Sequence, residues 1–263
     1  MEISRKPLDK LNKEINYISS RSERMAERSL TEVIAEWDGR DVPALREASI
    51  EALETICEGS TSLAAARAAE TYDSVRELQG VHDMFRAVPD ARRNPDALAG
   101  AVRASLNSVV KTGDTDTFKK TCVARINTEC RLAANRCAAY NARIDPKKPK
   151  FARVPAGRET CGFCLMLSSF GYTYNTEEAA SHAHKGCDCR VVQNYGHMQI
   201  EGYDPDAMYE RYQSCVSALG GRVAIREEWD RLSSEEKKPI LNAMVEPQVR
   251  HLSTLALSAS HKR

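Results

Sequence analysis

The chain has 263 residues, 42% of them hydrophobic and 29% charged, which is typical of a globular protein with one large domain or two to three small ones. Its 38 basic and 37 acidic residues nearly cancel, which argues against an overall field that attracts nucleic acid. No run approaches the roughly 20 apolar residues of a membrane span, and the N-terminus lacks the apolar core of a secretory signal. With an odd number of cysteines, nine, we expect synthesis in a reducing cytoplasm, where C-x2-C and C-x-C patterns indicate metal or redox chemistry.

Apolar residues at three- and four-residue steps predict two long helices at the N-terminus. The first covers residues 6 to 38, with an apolar stripe made by Leu8, Leu11, Ile15, Ile18 and Met25. The second covers about 43 to 82, where Gly59 and Gly80 are the expected breaks or ends.

A loop over residues 86 to 96 and two further helices come next. Asp96 is predicted to cap a helix over residues 97 to 110 that stops at Gly113. The fourth helix runs from Asp114 or Thr115 to about Arg143. Its apolar stripe consists of Phe118, Cys122, Ile126, Cys130, Ala133, Cys137 and Tyr140. We interpret the three cysteines of this stripe as buried thiols that pack like small hydrophobic side chains.

Residues 119 to 158 are the one strongly basic stretch of the chain. Eleven Lys or Arg residues stand there against two acidic residues, Glu129 and Asp145, so the stretch carries a net charge of +9. Two interpretations stay open: a solvated helix face and linker, or a surface that binds DNA or an acidic protein. The residues of that candidate surface are Arg125, Arg136, Arg143, Lys147, Lys148 and Lys150.

The character of the sequence changes after residue 150. Short strand-like pieces between glycines are predicted at Phe151 to Val154, Gly171 to Tyr174 and Arg190 to Val192. From Asp204, a predicted cap, the chain is helical again, with one face lined by Met208, Tyr212, Cys215 and Leu219 before Gly220 and Gly221. A capping box at Ser233 to Glu236 predicts a last helix.

These elements predict a mainly α fold with long N-terminal helices, a small metal-stabilised α+β module and a C-terminal helical segment. We divide the chain into a helical N-terminal region (1–145), a Cys/His zinc-type module (151–200) and the C-terminal segment (201–263).

Five potential metal ligands fall within 29 positions: Cys161, Cys164, His184, Cys187 and Cys189. C-x2-C, nineteen further residues and H-x2-C-x-C are the spacing of a small structural zinc site. Because zinc takes four ligands, the preferred set is Cys161, Cys164 and His184 with one of the last two cysteines. An all-thiolate site in which His184 donates a hydrogen bond is the alternative. Unliganded cysteines in a small β core, or a redox dithiol, are the other interpretations.

The signatures of a catalytic site are absent from the sequence. It has neither the H-x-E of zinc deaminases nor the H-E-x-x-H of zinc proteases, and it has no P-loop and no G-x-S-x-G. Five candidate ligands also favour a closed site over one with an open position. We therefore expect a protein that is not an enzyme, binds structural zinc and has no small-molecule substrate.

A run of residues around these ligands resembles a known family. The segments are RVPAGRETCGFCLMLSS from Arg153, GYTY from Gly171 and HKGCDCRVV from His184. They resemble the pattern R-V-P-x-G-x-x-T-C-x-F-C-x-M-L-A-S-x-G-x-x-Y, then H-x-x-C-x-C, of phage Mu protein F-like minor head proteins, the type found in phages of actinobacteria. The match is specific over about 40 residues and departs at Ser168, where that family usually has Ala.

The resemblance implies a virion component of the capsid, made in the host cytoplasm and acting at the portal vertex during head assembly. Its implied partners are the portal and other capsid proteins, with packaged DNA as a further partner and no membrane. Two alternatives remain: a zinc-knuckle DNA-binding protein acting in packaging or ejection, and a phage-associated enzyme of the maturation-protease or ADP-ribosyltransferase type. The sequence contains no set of protease residues that would support the maturation-protease alternative.

Overall fold

The computed structural model describes residues 2–156, 160, 162–176, 187, 189–196, 198–218, 221 and 231. Within these residues, the body of the fold is made by four long helices: α1 (Lys6–Glu36), α2 (Val42–Leu78), α3 (Pro95–Thr112) and α4 (Thr115–Ile144). The smaller elements are β1 (Glu2–Ile3), β2 (Lys150–Pro155), α5 (Gly162–Ser169), β3 (Cys189–Asn194), β4 (Gln199–Ile200) and α6 (Pro205–Ala218). The predicted fold class, mainly α with a small α+β part, is confirmed.

Short polar side chains cap the starts of α2, α3 and α4, whereas α1 has no side-chain cap. Asp41 accepts a hydrogen bond from the backbone N–H of Ala44 at 2.9 Å, and Asp114 caps α4 in the same way. The predicted cap of α3 was wrong by two residues. Asn94, rather than Asp96, accepts the capping bond, because Pro95 has no N–H to satisfy and occupies the first helical position.

The prediction of a break at Gly59 was also wrong, because α2 passes through that residue. No positive φ is needed there, and the neighbouring Cys57, Ser60 and Thr61 are buried against the core, so packing overrides the low helix propensity of glycine. Gly80, with a φ of +72°, does follow the end of α2 as predicted.

Helices α1, α2 and α4 pack against one another and bury most of the predicted stripes, although Tyr140 at the end of the α4 stripe is only half-buried. The first four apolar residues of the α1 stripe are buried, but Met25 is 47% exposed and Ala26 takes the buried position. Further along α1, Leu30 continues the buried face. Cys122, Cys130 and Cys137 are fully buried in α4, which confirms that they serve as core residues.

Two short pairs of strands attach the rest of the described chain to this bundle. Strand β2 runs antiparallel to β3, with Phe151 opposite Gln193 and Pro155 opposite Cys189. Strand β1 pairs parallel with β4, and Ile3 lies opposite Ile200. The predicted strand at Gly171 to Tyr174 is instead a turn, from which only Tyr174 bridges to Phe151.

The contacts of β1 join the start of the chain to the strands, and the division into residues 1–145, 151–200 and 201–263 stays a prediction. Ile3 and Leu8, from the start of the chain, share one buried cluster with Val154 and Val192 of the strands. Val75 of α2 belongs to the same cluster, so the helical region and the α+β part have a common core.

Helix α6 begins as predicted, because Asp204 accepts a hydrogen bond from the N–H of Asp206 at 2.9 Å. Its residues Tyr212 and Val216 are buried against Leu165 of α5. The predictions for Leu219, Gly220 and the capping box at 233–236 lie outside the described residues. Among the helices that the structure describes, none has the length and apolar character that crossing a membrane requires.

Candidate metal centre

The sulfur atoms of three cysteines converge at one point between α5 and β3. The Sγ of Cys164 lies 3.4 Å from that of Cys187 and 3.3 Å from that of Cys189, and the last two are 3.2 Å apart. These distances are far longer than the about 2.05 Å of a disulfide. They are close to the edge of about 3.8 Å that a tetrahedron of Zn–S bonds of about 2.3 Å requires.

Local structure explains why these three side chains meet. Cys164 lies in the first turn of α5, and Cys189 is the first residue of β3, paired with Pro155 of β2. Cys187 precedes Cys189 by two residues, and the two sulfurs are 3.2 Å apart. The C-x-C spacing therefore presents both sulfurs to the α5 cysteine.

The cluster is closed to solvent. The three cysteines are 3%, 2% and 1% exposed, and Leu167, Met166 and Tyr174 pack around them. Structural zinc sites are enclosed in this way, whereas catalytic sites keep one coordination position open to water or substrate.

The donor chemistry fits a soft divalent cation. Three thiol sulfurs suit zinc and its congeners, whereas magnesium and calcium prefer oxygen ligands. The hydrogen bond from Cys164 lowers the pKa of the Cys189 thiol, but the contact with Cys187 and burial outweigh it and raise the pKa to about 12. A bound cation would replace those thiol protons. Zinc held by Cys164, Cys187 and Cys189 would cross-link α5 to the strand pair.

The structure brings together three of the five predicted ligands. Both Cys187 and Cys189 face Cys164. The preferred ligand set, which includes only one of these two cysteines, therefore stays a prediction. Cys161 and His184 lie outside the described residues, and the choice of the fourth ligand stays a prediction.

A buried arginine lies directly against the cluster. Arg153 of β2 is 0% exposed, and its Nη2 donates a hydrogen bond to the Sγ of Cys189 at 2.8 Å. Burial lowers the pKa of this guanidinium, but the neighbouring sulfurs of Cys189, Cys187 and Cys164 outweigh that effect and raise it. Sequence reasoning missed this residue, because an arginine in a basic stretch looks like a surface charge.

Other polar side chains hold the backbone of the cysteine segment. The Nη1 of Arg131 donates to the carbonyl of Cys187 at 3.1 Å, and the Nδ2 of Asn135 donates to the carbonyl of Cys189 at 3.2 Å. Arg190 donates to both of these carbonyls. Because Arg131 and Asn135 belong to α4, the cluster is attached to a core helix as well as to the strands.

A protein-family model described as VG15 protein matches residues 2–215. The chain belongs to the VG15 family. This is a family of phage proteins, and the match includes every described cysteine and the arginines around them. No curated protein and no solved structure shows a significant match to the chain.

The basic stretch of this VG15 chain divides into an inward and an outward part. Arg125 and Arg136 both bind the carboxylate of Glu129, which is 1% exposed, so these two members of the predicted surface neutralise a buried acid. The other four members are exposed at the end of α4 and after it: Arg143, Lys147, Lys148 and Lys150.

The second acid of that stretch is buried in a polar network that the sequence did not reveal. Asp145 is 0% exposed and accepts hydrogen bonds from Arg76 at 2.9 Å, Tyr72 at 3.1 Å and Tyr195 at 2.6 Å. Its negative charge is therefore satisfied inside the VG15 fold, and the exposed lysines beside it are left as a positively charged end of α4.

Proposed function

We propose that this VG15 chain is a structural minor head protein of a tailed phage, acting at the portal vertex during head assembly. The observation that carries the proposal is that three features fall in the same part of the chain. The run from Arg153 to Cys189 that resembles minor head proteins lies inside the matched range 2–215 and supplies the sulfurs of the buried cysteine cluster.

The closed cysteine cluster supports a structural role. The three described sulfurs are buried and packed by apolar side chains, as the ligands of structural zinc sites are. A zinc ion bound there would contribute stability, on the order of 10 kcal/mol in small zinc peptides. The proposed role of the metal is to fix the strands against α4 so that one rigid body docks on portal or capsid proteins.

A phage carrying an amber mutation in this gene tests the head function. We expect particles grown without suppression to lack infectivity and to show defective heads by electron microscopy, and wild-type virions to contain the protein in a few copies by mass spectrometry. Complementation with Cys187→Ser should fail, whereas Cys215→Ser, which changes a half-buried cysteine outside the cluster, should restore infectivity. Normal titres without the protein, or its absence from virions, would overturn the proposal.

DNA contact is a second candidate function, favoured by the exposed charges after α4. Lys147 and Lys150 are exposed beside a buried Asp145, so the net positive charge there faces solvent. A zinc knuckle that binds DNA together with the basic stretch is less well supported. Two arginines of that stretch next to the cysteines, Arg131 and Arg153, are buried and so do not face solvent.

Filter binding to duplex DNA across a salt series tests this second candidate. Each lost phosphate contact should reduce the slope of log K against log salt by about one. We expect the double variant Lys147→Gln, Lys150→Gln to bind less tightly with a shallower slope. The control Lys10→Gln, Lys13→Gln removes the same charge from an exposed face of α1 and should leave binding unchanged. Equal effects of the two double variants, or no binding at low salt, would exclude a specific DNA surface.

A further inference from the structure

The first half of α2 carries a row of four glutamates on its outer side. Glu47, Glu51, Glu54 and Glu58 follow one another at steps of four, three and four residues, so they line one side of the helix for about 16 Å. Three of them are exposed and Glu54 is half-buried. No basic residue lies between Glu47 and Glu58 in the sequence. We call these four residues the α2 glutamate row.

Two arginines next to the row lie against its ends. Arg46 pairs with Glu47 at 2.7 Å, and Arg93 lies 3.9 Å from Glu58. The side chains of these two glutamates are still 67% and 71% exposed. Like charges three or four residues apart destabilise a helix. The row therefore costs stability unless a positively charged partner lies against it.

A complementary surface of the same chain lies at the other end of α2. Lys147 and Lys150 are exposed just after α4, beside Asp145, which is buried and bound by Arg76 in the last turn of α2. Glu54 and Arg76 are about 33 Å apart at a rise of about 1.5 Å per residue. This separation is about four times the Debye length of about 8 Å at physiological salt. The glutamate row and the two lysines therefore do not neutralise each other within one chain.

We propose that the α2 glutamate row of one copy of this chain binds Lys147 and Lys150 of a second copy. The two lysines are three positions apart, at most about 11 Å in extended chain, so both fit within the length of the row. The net charge of +1 leaves little overall repulsion between copies. Because every copy carries both surfaces, the contact is made twice between two antiparallel copies or is repeated from one copy to the next. This inference does not depend on the role in head assembly.

Sedimentation velocity of the full-length wild-type protein is the first test, with a concentration series and without DNA. Surface ion pairs are individually weak and are screened by salt. We expect oligomers at 0.1 M salt whose association constant falls at least about tenfold at 1 M salt, where the Debye length shrinks from about 10 to about 3 Å. The two lysines are also the candidate DNA contact, and a surface that binds DNA alone predicts a monomer here. A monomer at every concentration in low salt, or an oligomer that is insensitive to salt, would overturn the proposal.

Two double charge reversals then test the two surfaces separately. Glu51→Lys, Glu54→Lys reverses the middle of the row, and Lys147→Glu, Lys150→Glu reverses the lysines. Each variant alone sets like charges against each other at the proposed contact, so we expect its association constant to fall about tenfold or more. An equimolar mixture of the two variants should associate again, because opposite charges then meet. Circular dichroism checks that each variant keeps the helices of the wild type.

Matched controls carry the same charge changes at other exposed positions. Asp206→Lys, Glu210→Lys changes α6, and Lys10→Glu, Lys13→Glu changes α1. Each control keeps the glutamate row and the two lysines, so we expect each alone to associate as the wild type does. Equal losses in the controls and the contact variants, or a mixture of the contact variants that stays monomeric, would refute the proposal.

Discussion

Arg76 donates from its Nε to the Oδ2 of Asp145 at 2.9 Å, and the two side chains are 3% and 0% exposed. The pair links the end of α2 to the residue that follows α4. Arg76 also reaches Asp83 at 2.7 Å, and its guanidinium lies over the rings of Phe85 and Tyr195. The buried guanidinium of Arg76 therefore connects α2 to the end of α4, to the loop that contains Asp83 and Phe85, and to the segment after β3.

Removing one partner of this pair should destabilise the fold strongly. Asp145→Asn keeps the size of the side chain but leaves the charge of Arg76 without its buried anion, and such losses amount to about 3–5 kcal/mol. Urea denaturation followed by circular dichroism measures the change. The control Glu70→Gln breaks the exposed pair with Arg67 and should have little effect. Similar urea midpoints for the two variants would show that the buried Arg76–Asp145 pair stabilises the fold no more than the exposed pair does.

The same network predicts how stability depends on acid. The hydrogen bond from Arg76 lowers the pKa of Asp83 to about 2. Burial raises the pKa of Asp145, but the hydrogen bonds from Arg76 and Tyr195 outweigh it and lower the pKa overall. Both carboxyl groups have lower pKa values folded than unfolded. Their contribution is therefore present above about pH 4, the unfolded pKa, and is lost as the pH falls through the folded values.

Unfolding free energies between pH 6 and pH 2, measured with chelator present so that metal loss is the same throughout, test this dependence. We expect Asp83→Asn to be less stable than wild type at pH 6 and to approach it as the pH falls to about 2, because the wild type then loses the ionised Asp83. Parallel curves for the two proteins across this range would show that Asp83 does not supply the acid sensitivity.

The long helices and the cysteine cluster could be predicted because their signals are local. Apolar stripes at helical spacing give α1 and α4, and the C-x-C spacing alone aligns Cys187 with Cys189. Strand β1 has two residues, too few to show any periodicity. The partners of Arg153 and Asp145 lie 36 and 69 residues away in sequence, at Cys189 and Arg76. No single-sequence pattern links such positions, because the contacts exist only after the helices pack.

The α4 cysteines should react slowly with alkylating reagents. Burial raises the pKa of Cys122 and Cys137 to about 11, so each thiol is almost wholly protonated at pH 8, and the thiolate is the reactive form. Cys215 of α6 is half-buried. We expect iodoacetamide to label Cys215 first in the native protein, with Cys122 and Cys137 modified only on unfolding. Peptide mapping by mass spectrometry gives the order, and early labelling of Cys137 would contradict the buried packing of α4.

Chelation should loosen the strands without melting the helices. Zinc bound by the three buried cysteines would join α5 to β3, whereas the α1, α2 and α4 core has its own apolar contacts. We expect about one zinc ion per purified chain by elemental analysis. After chelation, hydrogen exchange should speed up in residues 189 to 194 far more than in α1. Cys164→Ser should reproduce this pattern in the presence of zinc. Absence of zinc from the wild type, with unchanged exchange after chelation, would refute the metal centre.

Asn135 offers a way to separate the attachment of β3 from metal binding itself. Its side chain is 1% exposed, donates to the carbonyl of Cys189 and accepts from the N–H of Val191, both at 3.2 Å. Asn135→Leu keeps a similar volume but leaves both backbone groups without that partner, at about 1–3 kcal/mol for each buried group. We expect a lower urea midpoint and faster exchange at Val191, with all three sulfurs retained for the metal. A variant that keeps wild-type stability would show that β3 is held without Asn135, by its pairing with β2 and by bonds such as that from Gln79 to the carbonyl of Gln193.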